Sequence, residues 1–378
     1  MPLTHRLIRK NRAMLSGSQK RNGYMTWWHS FTGKNTVTGE IKSFFVEIYI
    51  INPMRSPKTV VYGQLYSQKT KEHMPSYIVV KAGAWGKNAK QIHNFYTCSK
   101  LEKNNKILDL NIGTIHVSET ELSGSVKMDY KIAKLHPELM SDGGNMSWKL
   151  TMSKKLPYDM GFRTSALVSK LNIFEMYSHV QGIETLFDGV VALDGQTYRV
   201  TSNKSFGYTD KKWGTDFANP WLWLTSNNIV SEITGKKLPN TCFDIGTVCP
   251  KIFSIPLKQS LFACFYYEGI KYTFNFSKLK KQCKLTYEIR ENSEVIHWLL
   301  SCSNTKYLLD IDIFCKKEEM LFMNYEAPSG EKLHNHLWSG GTGYGELKFF
   351  IHKGKDLEQV EYAKIYNCGC QYGEFDQI

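Results

Sequence analysis

Residues 189–200 read GVVALDGQTYRV, and residues 262–274 read FACFYYEGIKYTF. Each holds two strand-like runs around an acidic-Gly pair, Asp194-Gly195 in one and Glu268-Gly269 in the other. Two-residue hairpin loops favour such pairs because both central residues need positive φ. Upstream, FFVEIYII (44–51) reads as a strand. Phe44, Val46, Ile48 and Ile50 mark one face of a strand; Phe45, Glu47, Tyr49 and Ile51 mark the other. Asn52-Pro53 stops it, because proline cannot continue a hydrogen-bonded ladder. Further strands are predicted at 284–289, 295–301, 308–315, 320–325 and 346–352. With turn signals recurring about every ten residues, this pattern specifies antiparallel barrels or sandwiches and not βαβ units. Two stretches break it. Leu167, Leu171, Phe174 and Tyr177 allow a short helix or two within 163–181. His136-Pro137-Glu138-Leu139-Met140 suits a single helical turn. A polar stretch, Thr-Ser-Asn-Lys-Ser at 201–205, divides the chain into expected domains 22–203 and 204–378.

The 378 residues carry 48 Lys+Arg against 35 Asp+Glu, a net charge of +13. With 42 % hydrophobic, 22 % charged and 13 % aromatic residues, the composition is globular. It excludes disordered and collagenous chains, and no apolar run is long enough for a membrane span. The N-terminus is basic but lacks the apolar core of a secretory signal. The nine Cys are scattered, which fits reduced thiols and a cytoplasmic location. The positive balance suits a solvated basic surface, with peripheral contact to an anionic membrane as an extension. The cations cluster only at 6–21 and 278–284, in no nucleic-acid motif, so no specific nucleic-acid partner is expected.

Chemistry concentrates in two segments. FGYTDKKWGTDFANPWLWL (206–224) holds Tyr208, Asp210, Trp213, Trp221 and Trp223. A carboxyl walled by indoles is desolvated, which raises its pKa and lets it donate a proton near neutral pH. Asp210 is therefore the candidate general acid. The plainer alternative makes the Trp residues core and gives Asp210 a turn or a bond to Trp213. Strand alternation puts Trp221 and Trp223 on one face and Leu222 and Leu224 on the other. The second segment, LHNHLWSGGTGYGELKFF (333–350), lacks the Lys-Ser/Thr ending of a phosphate loop. Its glycines suit a bend or a close backbone approach instead. Glu346, at the start of the strand that follows, is a candidate to point into a cavity. His334 and His336 share one face if extended, but no third ligand makes a metal site. His179, beside Tyr177, is a candidate acid/base. No cofactor motif is present, so neither a metal nor a redox cofactor is expected.

The segments FGYTDKKWGTDFANPWLWL and GYGELKFF (343–350) resemble the tocopherol cyclase family, with the acidic residue three before Trp-Gly. YMTWWHS (24–30), FFVEIYIINP (44–53) and HVQGIETLFDGVVALDGQTYRV (179–200) extend the resemblance in order over most of the chain. The resemblance implies a mainly β protein: two lipocalin-like antiparallel β-barrel domains packed together, with one or two short helices. It also implies an apolar pocket for a hydrophobic, prenylated small molecule. The implied activity is cofactor-independent cyclisation, in which an acid protonates an isoprenoid double bond and a phenol oxygen closes the ring. Such a reaction needs a dry pocket and aromatic faces, each giving a cation about 0.5–2 kcal/mol. The residues expected to carry it are Asp210 as acid, with Glu346 or His179 orienting the nucleophile. The expected wall is Trp28, Tyr177, Tyr208, Trp213, Trp221, Trp223, Trp338 and Tyr344. The rival expectation is a non-enzymatic lipid or isoprenoid carrier of lipocalin type.

Overall fold

The computed structural model describes residues 9–63, 74–159, 176–217, 219–248, 251–252, 255–256, 260–274, 283–330, 332–334, 337–354 and 356–377. The two hairpins form as their turns dictate. Leu193 pairs with Gln196 across Asp194 (φ 47°) and Gly195 (φ 81°). Tyr267 pairs with Ile270 across Glu268 (φ 49°) and Gly269 (φ 83°). Every strand pairing is antiparallel, and the two principal sheets have 13 and 11 strands. The protein is mainly β, barrel and half-barrel sheets packed together, with few and short helices among the described residues. The single turn expected at 136–140 is there, as a 3-10 helix Pro137–Leu139 after the helix Tyr130–Leu135. Of the helix expected within 163–181, residues 163–175 lie outside the described set. Its end is strand, because Met176–Leu193 runs unbroken beside Gly207–Gly214 and takes its hydrogen bonds from the sheet.

Each sheet wraps its own core. Trp27, Phe44, Val46, Ile48 and Ile50 fill the first. Leu222, Leu224, Phe243, Ile245, Trp298 and Phe349 fill the second. The other face of the same strands is also buried. Trp28, Phe45, Trp85, Tyr208, Trp221, Trp223, Leu321, Met323 and Leu337 form a third cluster, drawn from both sheets. Strand Ile41–Ile51 therefore has two apolar faces because it is sandwiched, its odd residues meeting the second barrel. The chain passes from one sheet to the other between Gly214 and Trp221, while 202–204 is a turn that leads into the last strand of the first sheet.

The glycine-rich run 340–345 lies inside strand Leu337–Lys353, with register shifts between Gly340 and Gly343 and between Gly343 and Gly345. A Cβ on Gly341 would collide with the indole of Trp85, on strand Tyr77–Trp85 of the first barrel. This glycine lets the two halves close on each other. Gly341→Ala is expected to cost about 1–3 kcal/mol, the usual penalty of overpacking, read as a lower urea midpoint with altered tryptophan fluorescence.

The eight described cysteines are unpaired thiols. No helix among the described residues is long and apolar enough to cross a membrane.

Candidate active site between the barrels

The pairing of three strands builds the site. Strand Tyr24–Asn35 lies between Ile41–Ile51 and Gly207–Gly214, so Trp28 faces Glu47 on one side and Asp210 on the other. Glu47 in turn faces Lys81, and Lys81 faces His93. Residues paired across antiparallel strands share a face. A row of Asp210, Trp28, Glu47, Lys81 and His93 therefore crosses the sheet, all turned toward the second barrel.

The row is wholly enclosed and its charges are paired. Asp210 is fully buried, and its Oδ2 takes a close ion pair from Lys212 Nζ. Tyr208 Oη donates toward the same oxygen at 3.1 Å, and Asp210 Oδ1 has no partner among the described residues. Burial raises the Asp210 pKa, against the opposing pull of Lys212 and Tyr208. Tyr208 Oη also lies 2.9 Å from Asp244 Oδ1. Asp244 belongs to strand Cys242–Val248 of the second barrel, and its Oδ1 accepts Trp223 Nε1–H at 3.0 Å. Burial, then the charge of Asp210, pushes the Asp244 carboxyl up to about 7. A second polar knot surrounds Glu47. Thr26 Oγ1 and Tyr325 Oη donate to its two oxygens at 2.8 Å each, and Lys81 Nζ lies 3.4 Å away. Lys81 also donates to the Asn324 carbonyl at 3.1 Å and sits 3.6 Å above the Tyr325 ring. Burial lowers its pKa, with Glu47 opposing.

A narrow cleft opens between these knots. It is lined by Tyr24, Trp28, Glu47, Lys212, Trp221 and Trp223, with Phe217, Tyr325 and Gln371 among the rest, and has a cavity volume of about 30 Å³. Trp28 stacks on Phe45 at 5.4 Å and meets Trp223 edge-on at 6.1 Å. Lys212 lies 5.3 Å from the Trp221 ring and 5.6 Å from the Trp223 ring. Trp221 Nε1 donates to Gln371 Oε1 at 2.8 Å. Two buried donors on the cleft wall, Tyr24 O–H and Trp28 Nε1–H, have no acceptor among the described residues. A buried unsatisfied donor costs roughly 1–3 kcal/mol.

Of the residues singled out from sequence, the structure brings Trp28, Tyr208, Asp210, Trp221 and Trp223 together. Trp221 and Trp223 share the face expected for them. The other residues lie elsewhere. Tyr177, His179 and Trp213 are on the opposite face of the first sheet, because Tyr177 pairs with Trp213 and His179 with Lys211, one position out of phase with Asp210. Tyr177 stacks on Trp213 at 5.5 Å there. Buried Lys211 lies between Trp27 and Trp213 and donates to the carbonyls of Lys10 and Arg12. Glu346 is on the outer face of the second sheet, ion-paired with Lys364, since its neighbours Leu347 and Phe349 point into the core. Tyr344 is also outside, stacked on Phe314, and Trp338 is turned away while Leu337 takes the cleft position. His336 lies outside the described residues. Among those described, no group of three His, Cys, Asp or Glu is placed to hold a metal.

Sequence reading missed Asp244, Lys212, Glu47 and Lys81. A signal for Glu47 was present: it is the lone charge in an eight-residue apolar run. Asp244 had none, because a carboxyl in CFDIGTV reads equally well as solvent-facing.

The fold and this site define a class: two packed antiparallel β-sheets whose interface encloses an aromatic cleft backed by buried carboxyls. The chain belongs to the tocopherol cyclase-like family, whose model matches residues 82–371. Two solved structures cover nearly the whole chain. Kievitone hydratase from Nectria haematococca has 13% sequence identity over 96% of this chain and 93% of its own, with a TM-score of 0.49. An AttH candidate from Nitrosomonas europaea has 11% sequence identity over 95% of each chain, with a TM-score of 0.48. No curated protein sequence matches significantly.

Proposed function

We propose that the chain binds a hydrophobic, prenylated small molecule in the interbarrel cleft and closes a ring on it by alkene protonation. Membership of the tocopherol cyclase-like family supports a cyclase-type activity. The observation that carries the reading is the wholly buried carboxyl of Asp210, opposite Trp28 across the strands and joined to the cleft wall through its ion pair with Lys212. In the reaction the carboxyl O–H bond breaks and its proton goes to an alkene carbon. A tertiary cation forms, flanked by the Trp28, Trp221 and Trp223 faces, and a phenol oxygen attacks it. The phenol proton returns to the carboxylate, so nothing is oxidised or reduced. The cleft is narrow, so a guest enters only as side chains such as Lys212 and Phe217 move aside.

The second reading is a non-enzymatic isoprenoid carrier. The Lys212 ammonium on Asp210 favours it, since a carboxylate held by a cation has no proton to give. With a net charge of +13, either version is suited to peripheral contact with an anionic membrane.

Asp210→Asn separates the two. Cyclisation of a prenylated phenol is expected to fall by about 10²–10⁴-fold, with binding of the same compound retained. Turnover by neither form, alongside full binding by both, sinks the cyclase and leaves the carrier.

A further inference from the structure

Tyr208 has one hydroxyl proton and two carboxyl neighbours. Its oxygen is 2.9 Å from Asp244 Oδ1 and 3.1 Å from Asp210 Oδ2, both within hydrogen-bond range. A single O–H donates once, so two ionised carboxylates would leave one close oxygen–oxygen contact with no proton in it. The second contact is attractive only if one of the two carboxyls is itself an acid. The charges decide which. Asp210 Oδ2 is held by the Lys212 ammonium, which fixes it as the carboxylate. Among the described residues no Lys or Arg lies at ion-pair distance from Asp244; its partners are Tyr208 and the Trp223 N–H. Asp210 pairs with Lys212 and Glu47 with Lys81, while the Lys212 charge reaches Asp244 without forming an ion pair and opposes the rise that burial and Asp210 impose on it.

We propose that Asp244 stores the proton of this site and passes it through Tyr208 to Asp210. In the resting state Asp244 Oδ1–H donates to Tyr208 Oη, and Tyr208 O–H donates to Asp210 Oδ2. Transfer breaks the Asp244 O–H bond and forms one at the Tyr208 oxygen, while the original Tyr208 proton moves to Asp210. Asp244 ends as carboxylate and Asp210 as acid, and no other bond or electron count changes. This rests on the cyclisation reading and removes the difficulty raised by Lys212, because Asp210 need not hold a proton at rest. Asp244 is then a positioning and proton-holding residue, one hydroxyl removed from the donor.

Other groups near Asp244 leave the assignment standing. Cys242 is on its own strand, and Cys264 faces it from Ser260–Tyr267. Burial pushes both thiols up, so both stay neutral. Glu184, on Met176–Leu193, and Lys271, on Ile270–Phe274, act on Cys242 with opposite signs. The burial that raises Asp244 to about 7 fits an acid that is neutral below that pH.

Infrared titration of the full chain between about pH 5 and about pH 9 tests the proposal. The carbonyl stretch of a protonated carboxyl should appear as pH falls through about 7. Asp244→Asn should remove that band. Asp210→Asn should keep it and move its midpoint to lower pH, because the charge that raises Asp244 is gone. Tyr208→Phe, which retains both carboxyls, should also keep it and serves if Asp244→Asn fails to fold. A band lost in Asp210→Asn but kept in Asp244→Asn would place the proton on Asp210 and overturn the proposal. A wild-type protein with no such band overturns it too. Failure of the wild type to cyclise any prenylated phenol defeats the catalytic reading but does not move this band.

Discussion

Glu47→Ala is expected to destabilise the protein by about 3–5 kcal/mol, the cost of leaving a buried partner charge uncompensated. Lys81 is the charge left behind, with a side chain 5% exposed against 2% for Glu47. Thr26 and Tyr325 lose their acceptor in the same change. The expected loss is a large share of the roughly 5–15 kcal/mol that holds a domain folded, so the variant should unfold at a much lower urea midpoint. Glu47→Met combined with Lys81→Met removes both charges and should restore most of the loss, since an apolar pair of similar volume is often neutral. The double variant separates two accounts of the pair. If it is as unstable as Glu47→Ala, the carboxylate matters through its hydroxyl donors and not through Lys81. The interface can hold these charges because its aromatics bury so much area. Each of Trp28, Trp85, Trp221 and Trp223 contributes about 4–6 kcal/mol of transfer free energy on burial, and Phe45 about 2–3 kcal/mol, comparable to the several kcal/mol that each buried ion costs.

Stability should fall as pH drops below about 6.5, and the fall should steepen when Asp244 is replaced. Two buried imidazoles drive it. His29 and His93 are both pushed down to about 3, chiefly by burial and then by the nearby Lys154 and Lys81 cations respectively. Unfolded histidine titrates near 6.5, so between the two values the unfolded chain takes up protons that the folded chain refuses. Stability is full above about 6.5 and is lost downward; at pH 5 each histidine costs about 2 kcal/mol. Asp244 works the other way. Its folded pKa is raised to about 7, so the folded state keeps a proton that the unfolded state has released. Its contribution therefore grows as pH falls from about 7 toward 4, reaching about 3 kcal/mol at pH 5. The sum is a wild-type loss of about 1 kcal/mol between pH 8 and pH 5, against about 4 kcal/mol in Asp244→Asn. Urea unfolding of both proteins at the two pH values measures it. Equal losses would mean that Asp244 does not titrate in this range.

The contrast between these residues marks how far the sequence could be read. Trp221 and Trp223 were placed on one face by alternation alone, and Asn52-Pro53 ended its strand as expected. Tyr177 and His179 were harder. The spacing of Tyr177 from Phe174 fits a helical face, and only pairing with Gly207–Gly214 makes the segment a strand and turns Tyr177 and His179 away from Asp210. Glu346 does line a cavity, as its place at a strand start suggested, but one of about 510 Å³ on the outer face of the second sheet, because Leu347 and Phe349 claimed the core.

Local sequence settled the things that depend on near neighbours. Acidic-Gly turns, two-residue alternation and proline stops specified hairpins and an antiparallel β protein, because backbone sterics and strand pleat act within a few residues. The site depended on the fold. Trp28, Asp210 and Asp244 are far apart in the chain, and which strand lies beside which is decided by burying two sheet faces at once. That choice makes a pair of ordinary aspartates into neighbours that share a tyrosine, and no spacing rule records it.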